Sequence, residues 1–346
     1  MTDVVPTGHA ADAMRGVAAQ VTGSHASESL GLHFDQYRVE LTGFCYRMLG
    51  SAFEAEDAVQ DTLVRAWRSF ERFEGRSAVR SWLYRIATNV CLDMLGSRQR
   101  RARPMDLNPA GTADGPLGNP LEDAAWVQPI PDGAVLPEEG DPAEVAVQRD
   151  SIRLAFVAAL QHLPPRQRAV LILREVLQWQ AAEVAELLDT TVASVNSALQ
   201  RARATLATRE IGATDAAPDD LDDGQRALLA RYVDAFERYD MDSLTALLHE
   251  DAVWNMPPYE LWLQTHLDIR RWCLGPGIGC LGSRLIPTVA NGLPAYGQYK
   301  PAPDGSLEPW SLQVVEVSGD RIAGITFFLD TAALFPLFGL PPRLDP

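Results

Sequence analysis

The hydrophobic period of this chain changes once along its length, and that change constrains the fold more than any bulk property does. From residue 34 to about 209, apolar side chains recur at three- and four-residue spacing, the stripe of amphipathic helices. Beyond about 250 they alternate, as in half-buried strands. The helical part is itself interrupted, because residues 104–148 carry nine acids, no base and many Pro and Gly, a composition that cannot bury a core. The 346 residues therefore read as two all-α modules, an acidic tether, and a third module of mixed α and β structure.

Net charge is −16, yet it is unevenly placed. Residues 34–103 hold 12 Arg against 9 acids and residues 149–210 hold 8 Arg against 6, whereas 104–148 and 211–224 contain acids only. Contact with phosphate depends on the field within about a Debye length, ~8 Å, so global acidity does not exclude nucleic acid. The four cysteines show no C-x-x-C spacing, which argues against a disulfide framework and a zinc site, and no other metal or cofactor is implied. No apolar run approaches the roughly 18 residues that span a bilayer. The expectation is a soluble cytoplasmic chain with no membrane partner.

In the first module, Phe34, Tyr37, Leu41, Phe44, Cys45 and Met48 mark a helix closed by Gly50. A second helix, 54–70, turns Ala55, Val59, Leu63, Ala66, Trp67 and Phe70 inward and leaves Asp57, Gln60, Asp61 and Val64 on its outer face, acids around one apolar residue, as suits a protein partner. A third, Val79 to Leu95, buries Val79, Trp82, Leu83, Ile86, Ala87, Val90, Cys91, Met94 and Leu95. Its opposite face carries Arg80, Ser81, Tyr84, Arg85, Thr88 and Asn89, cations with an aromatic and an amide, a platform for phosphates and unstacked bases or else a solvated basic face.

In the second module, Pro164 and Pro165 suit a helix start, and Ala169 to Leu177 read as a buried helix. The stretch 180–189, a four-residue turn and the stretch 194–206 then have helix-turn-helix spacing. Val184, Leu187 and Leu188 pack on Val195, Leu199, Ala202 and Leu206, and Ser194, Asn196, Ser197, Gln200, Arg201 and Arg203 face outward, where they can reach base edges and phosphates. Helical hairpins of this spacing also serve as plain bundle elements.

The string A-E-D-A-V-Q-D-T-L-V-R-A-W, the loop F-E-G-R-S and W-L-Y-R-I-A-T-N resemble the second region of bacterial RNA polymerase sigma factors of the small extracytoplasmic-function class, over roughly 33–103. Residues 149–209 resemble the fourth region of the same family, the reader of the minus-35 element. The resemblance implies that Asp57, Gln60, Asp61 and Arg65 dock on the β′ clamp helices of core polymerase. It implies that Glu74, Arg76, Ser77 and Asn89 capture a flipped base of the melted minus-ten strand, with Arg80, Tyr84 and Arg85 on the same surface. The 194–203 helix would read minus-35 duplex, and the β flap and an anti-sigma protein are further partners of the class. Family members often carry basic residues where this chain has Asn196 and Ala198, so promoter sequence does not carry over. In the family the linker threads polymerase near the RNA exit path.

The third module begins with helices marked by Leu228, Leu229, Tyr232, Val233 and Phe236 and by Leu244, Leu247 and Leu248. Strands are predicted over 251–256, 285–291, 294–299, 310–317 and 321–329, the last two joined by Ser318, Gly319 and Asp320. Helices followed by a curved antiparallel sheet resemble the SnoaL-like α+β cone of polyketide cyclases and ketosteroid isomerases, which some actinobacterial sigma factors carry as an extension. Trp254, Met256, Tyr259, Trp262, His266, Trp272 and Trp310 are candidate pocket residues for a small ligand, with His266, Asp268 or Asp330 as a candidate base.

The expected organisation is a flexible leader 1–32, region 2 at 33–103, a linker 104–148, region 4 at 149–209, an acidic linker 210–224, the cone at 225–335 and a tail 336–346. The tail's Leu334, Phe335, Leu337, Phe338 and Leu340 should pack on the cone or on a sigma module. The expected function is non-enzymatic, promoter recognition and melting with core polymerase, and regulation by the cone. Two rival readings are a duplex-binding regulator that acts without polymerase, against which the acidic outer face of 54–70 speaks, and a cyclase- or isomerase-like enzyme with a DNA-binding front end. Fold analogy alone does not decide between binding and catalysis.

Overall fold

The structure is a computed structural model, and the description covers residues 34–70, 73, 78–96, 100–122, 125–137, 141–208 and 221–345. The chain forms two compact units. Among the described residues, the first draws on the stretches 34–96, 133–151 and 159–208, and the second on 100–132, 152–158 and 221–345.

In the first unit α1 (Arg38–Leu49), α2 (Ala52–Ser69) and α3 (Val79–Leu95) pack on one another around Leu41, Phe44, Cys45, Ala55, Val59, Leu83, Ala87 and Val90, all buried. Gly50 takes a left-handed φ of 73° and closes α1, its N–H donating to the carbonyl of Tyr46, a conformation that a Cβ would penalise. Ser51 caps α2 by accepting from the N–H of Glu54. Two expectations fail here. Trp67 is 53% exposed instead of inward, and Tyr84 and Thr88, expected on the solvent face of α3, are buried.

Downstream come α4 (Pro142–Asp150), α5 (Leu154–Leu160, whose residues to Ala158 cluster with the second unit) and α6 (Pro165–Leu171), which runs into a single π-helical segment at Ile172–Val176. Then follow α7 (Ala181–Leu187) and α8 (Val192–Ala207). Asp189 at φ 49° makes the turn, and the Thr191 hydroxyl accepts from the N–H of Ser194, so α8 starts two residues before the predicted Ser194. Two buried guanidinium groups tie the unit together. Arg47 donates to Ser151 Oγ at 2.8 Å and to the carbonyl of Gln148 at 3.0 Å. Arg168 bonds to the carbonyls of Met48, Gln161 and Leu163 and to Gln161 Oε1. Burial pulls both guanidinium pKa values down to about 10.

The second unit is a helix-and-sheet cone. After α9 (Asp223–Glu237) and α10 (Met241–Thr245) come β1 (Leu248–Asn255), β2 (Trp262–Gln264), α11 (His266–Leu274), β3 (Arg284–Ala290), β4 (Leu293–Pro301), β5 (Leu307–Ser318), β6 (Arg321–Phe328) and α12 (Thr331–Leu337). The six strands run in the order β2-β1-β6-β5-β4-β3. One pair departs from the antiparallel expectation: β1 and β6 are parallel, with Trp254 opposite Ile325, so the sheet is mixed. A period of two fixes which face a residue takes and says nothing of strand direction. The tail packs on the cone: Phe335 lies edge-on to Tyr299, and the Tyr299 hydroxyl donates to the carbonyl of Pro341 at 2.7 Å. A boundary at 335/336 falls inside α12.

The acidic linker is not a solvated spacer throughout. Trp126, Val127 and Ile130 are buried, and the segment is hydrogen-bonded into the cone. Asn291 and Gly292, both at positive φ, form the β3–β4 hairpin turn. Asn291 accepts from the Ile130 N–H at 3.0 Å through Oδ1, donates its backbone N–H to the Ile130 carbonyl, and donates Nδ2 to the Ile152 carbonyl at 2.6 Å. Gly111 N–H donates to the carbonyl of Trp262, Leu121 N–H to that of Pro258, and Trp262 Nε1 to that of Asn108. Average composition hid these few anchoring residues.

Candidate polymerase and nucleic-acid interface

On α2, Asp57, Gln60, Val64 and Arg65 are exposed and Asp61 is half-buried, so the acid-amide face is presented to solvent. Arg65 pairs with Asp61 at 2.8 Å and with Asp93 of α3 at 3.4 Å, and the Asp61 hydrogen bond raises its pKa above the usual value. An i, i+4 pair of this exposure contributes little to stability, about 0.3–0.5 kcal/mol. Its effect is to fix the side chains of the face.

On α3 the residues expected to touch the melted strand part company. Asn89 is exposed. Arg80 pairs with Glu40 of α1 at 2.7 Å and lies over the rings of Tyr84 and Trp179, 5.3 and 5.4 Å from their centroids. Burial, the largest single influence, works to lower its pKa, but the bond to Glu40 together with the charges and hydrogen bond of Glu40 and Tyr84 outweighs it, and the net shift is upward. Tyr84 is enclosed between Phe44 and Trp179, with centroids 5.3 and 5.0 Å away. Burial, with the nearby Glu40 carboxylate adding to it, pushes its hydroxyl pKa well up. Arg85 donates to the carbonyl of Glu186 on α7 at 3.2 Å, and its guanidinium is 3.6 Å from the Glu186 carboxylate. Three of the seven residues named for this surface are thus engaged by the segment 179–186. Glu74, Arg76 and Ser77 lie outside the described residues. Trp82 joins Phe34, Phe70 and Phe73 in an aromatic cluster, consistent with a packing role.

The α8 face is different. Val195, Leu199 and Ala202 are buried, and the helix packs on α6 and α7, while Ser194, Asn196, Ser197, Gln200, Arg201 and Arg203 are all exposed along its other side. Arg203 pairs with Glu175 at 2.6 Å. Short polar groups followed by two arginines are chemically able to bond base edges and phosphates.

In the cone, Trp254, Met256, Trp272 and Trp310 line a cavity. Tyr259, Trp262 and His266 do not. Trp262 is turned to the linker, and His266 opens α11. Asp268 and Asp330 are spent at helix N-termini, on Thr265 and on the Ala333 N–H. Phe236, Tyr239, Met241, Leu261, Leu263 and Phe327, which also line it, were read from sequence as ordinary core or not singled out.

An acid-faced helix, a basic helix and an exposed helix-turn-helix are the parts of a sigma-70-type promoter-specificity subunit, and the comparisons bear that class out. The family model described as Sigma-70 region 2 matches residues 33–101, and the one described as Sigma-70, region 4 matches 153–206. The chain is 47% identical over 319 residues to the ECF RNA polymerase sigma factor SigG of Mycobacterium tuberculosis, covering 90% of this chain and 84% of that protein. It is 31% identical over 175 residues to the ECF RNA polymerase sigma factor SigW of Bacillus subtilis, covering 50% of this chain and 83% of that one. The crystal structure of the Mycobacterium tuberculosis extracytoplasmic-function sigma factor SigJ matches with a TM-score of 0.57 at 21% identity, over 89% of this chain and 99% of that chain, a likeness of fold. The chain belongs to the extracytoplasmic-function family of RNA polymerase sigma factors.

Proposed function

We propose the following division of labour for this sigma factor in the cytoplasm. The outer face of α2, with Asp57, Gln60, Asp61 and Arg65, docks on the β′ clamp helices of core polymerase, and the second module meets the β flap. The α8 residues Ser194, Asn196, Ser197, Gln200, Arg201 and Arg203 read the minus-35 duplex. Glu74, Arg76, Ser77, Arg80, Tyr84, Arg85 and Asn89 hold the melted minus-ten strand. The observation that carries this reading is the contrast between an α8 face exposed at all six positions and an α3 face covered by Trp179 and Glu186. The free protein is closed, and minus-ten capture requires the second module to leave α3.

Regulation by the cone follows from the linker. A segment hydrogen-bonded into the cone through Asn291 and Trp262 is not free to thread polymerase, so the cone holds back a part that initiation uses. Reconstituted transcription tests the assignment, with core polymerase and wild type, Asp61→Ala, Asn89→Ala and a chain ending at residue 209. The expected outcome is initiation at discrete sites, lost with polymerase binding in Asp61→Ala and lost with binding retained in Asn89→Ala. The truncated chain should show changed activity or promoter choice. Unaltered initiation in both point variants would sink the role assignment, and an unaltered truncated chain would sink regulation by the cone.

A further inference from the structure

Trp179 is carried on an irregular piece of backbone. The helix before it widens into the π-helical segment Ile172–Val176, where the Leu177 N–H donates to the Ile172 carbonyl at 3.0 Å. Gln178 then takes a left-handed φ of 58°, a region that residues other than glycine seldom adopt. The Trp179 N–H donates back to the Leu173 carbonyl at 2.9 Å, and Arg174 donates to the Trp179 carbonyl. Single π-turns and left-handed non-glycine residues depart from the favoured backbone, and both gather at functional sites. What this backbone delivers is one indole, 6% exposed, set 5.0 Å from the Tyr84 ring at a tilt of 58°. Arg80 lies over both rings. The indole N–H is buried with no acceptor among the described residues, so rings and cation alone make the contact.

An unpaired nucleobase draws on the same groups, its π-face against an aromatic side chain and a guanidinium over the ring. We propose that Trp179 is a built-in surrogate for such a base: in the free chain it fills the stacking position at Tyr84 and Arg80, and the turn at Gln178 holds it there under strain. This rests on the assignment of the α3 face to the minus-ten strand, and adds the residue that competes with DNA and the reason it yields. Stacking favours the closed state, while the left-handed Gln178 and the unpaired indole N–H weigh against it. A base that also brings phosphate contacts then displaces the indole by exchanging one ring for another.

The test uses the full chain and a fluorescein-labelled pool of single-stranded twelve-nucleotide DNA of random sequence, read by anisotropy without polymerase. Trp179→Ala should bind the pool about tenfold more tightly than wild type, and Trp179→Phe within about twofold of it, because a ring remains. Gln178→Gly takes the left-handed turn without strain and so keeps the indole in place; it should bind about threefold more weakly and melt at a higher temperature. A Trp179→Ala protein with a wild-type melt and no gain in affinity would overturn the proposal. Should Trp179→Ala fail to fold, wild-type or tighter binding by Gln178→Gly would overturn it instead. The minus-ten assignment is read separately, with core polymerase bound, where Asn89→Ala should lose the strand in both the wild-type and the Trp179→Ala background. Loss there without a gain in free Trp179→Ala would strike the surrogate and leave the assignment; no loss there would strike the assignment and the surrogate with it.

Discussion

The two helices assigned to promoter DNA, α3 and α8, carry similar chemistry and meet opposite fates in the free chain. Both present arginines with short polar groups along one side. On α8 that side is open to solvent from Ser194 to Arg203. On α3 it is occupied: Tyr84 is buried under Trp179, Arg80 is shared between Glu40 and two aromatic rings, and Arg85 is bound to Glu186. On the proposed assignment, duplex reading needs no rearrangement, whereas minus-ten capture must compete with contacts inside the same unit. Buried Arg47 and Arg168 set how costly that competition is, since their acceptors lie in the backbone and side chains of elements from both modules.

The largest effect is expected where that junction is cut. Arg168→Ala strands buried carbonyls and the Gln161 side chain, and should lower the unfolding free energy of the first unit by about 3 kcal/mol in urea titrations. A loss below about 1 kcal/mol would mean that the junction is weak and α3 is not held closed. Next comes the direct contrast of the two faces. Arg201→Ala should weaken binding of free protein to minus-35 duplex about fivefold to tenfold and reduce the slope of log K against log salt by about one. Arg85→Ala should leave duplex affinity within about twofold, because Arg85 faces protein. Equal losses in both would erase the comparison.

A third variant moves α3 toward the state of α8. Glu186→Arg places like charge beside Arg85 and should raise affinity for a single-stranded minus-ten oligonucleotide about threefold, read by fluorescence anisotropy. No gain would show that Glu186 does not guard that face. The smallest effect belongs to the cap of the reading helix: Thr191→Ala removes the acceptor of the Ser194 N–H and should cost about 1 kcal/mol by thermal melting, with a matching modest loss of duplex affinity.

The helical modules and the helix-turn-helix were legible in the sequence because a local period fixes them, and the α8 face was legible because nothing distant covers it. Tyr84 was misread because its cover, Trp179, lies far along the chain, where no local pattern reports it. Trp67 was misread because it sits at the edge of its stripe and size alone suggested burial. The parallel pairing of β1 with β6 was invisible to a period that is the same for either direction. The linker's Trp126 and Ile130 were lost in an acidic, proline-rich average, although Asn291-Gly292, the turn that grips Ile130, is a recognisable hairpin signal. Half of the cavity wall looked like plain core, since a lining residue and a packing residue share the same chemistry.

The claim at the centre of this account is that α3 and α8 belong to one closed unit in the free protein and part on polymerase. Spin labels at Arg68→Cys on α2 and Ala207→Cys at the end of α8, in a Cys280→Ser background, report that separation by double electron–electron resonance. The account predicts one narrow distance distribution for free protein and a shift to longer distances on addition of core polymerase. The same distribution in the free protein and in a transcriptionally competent complex would contradict it.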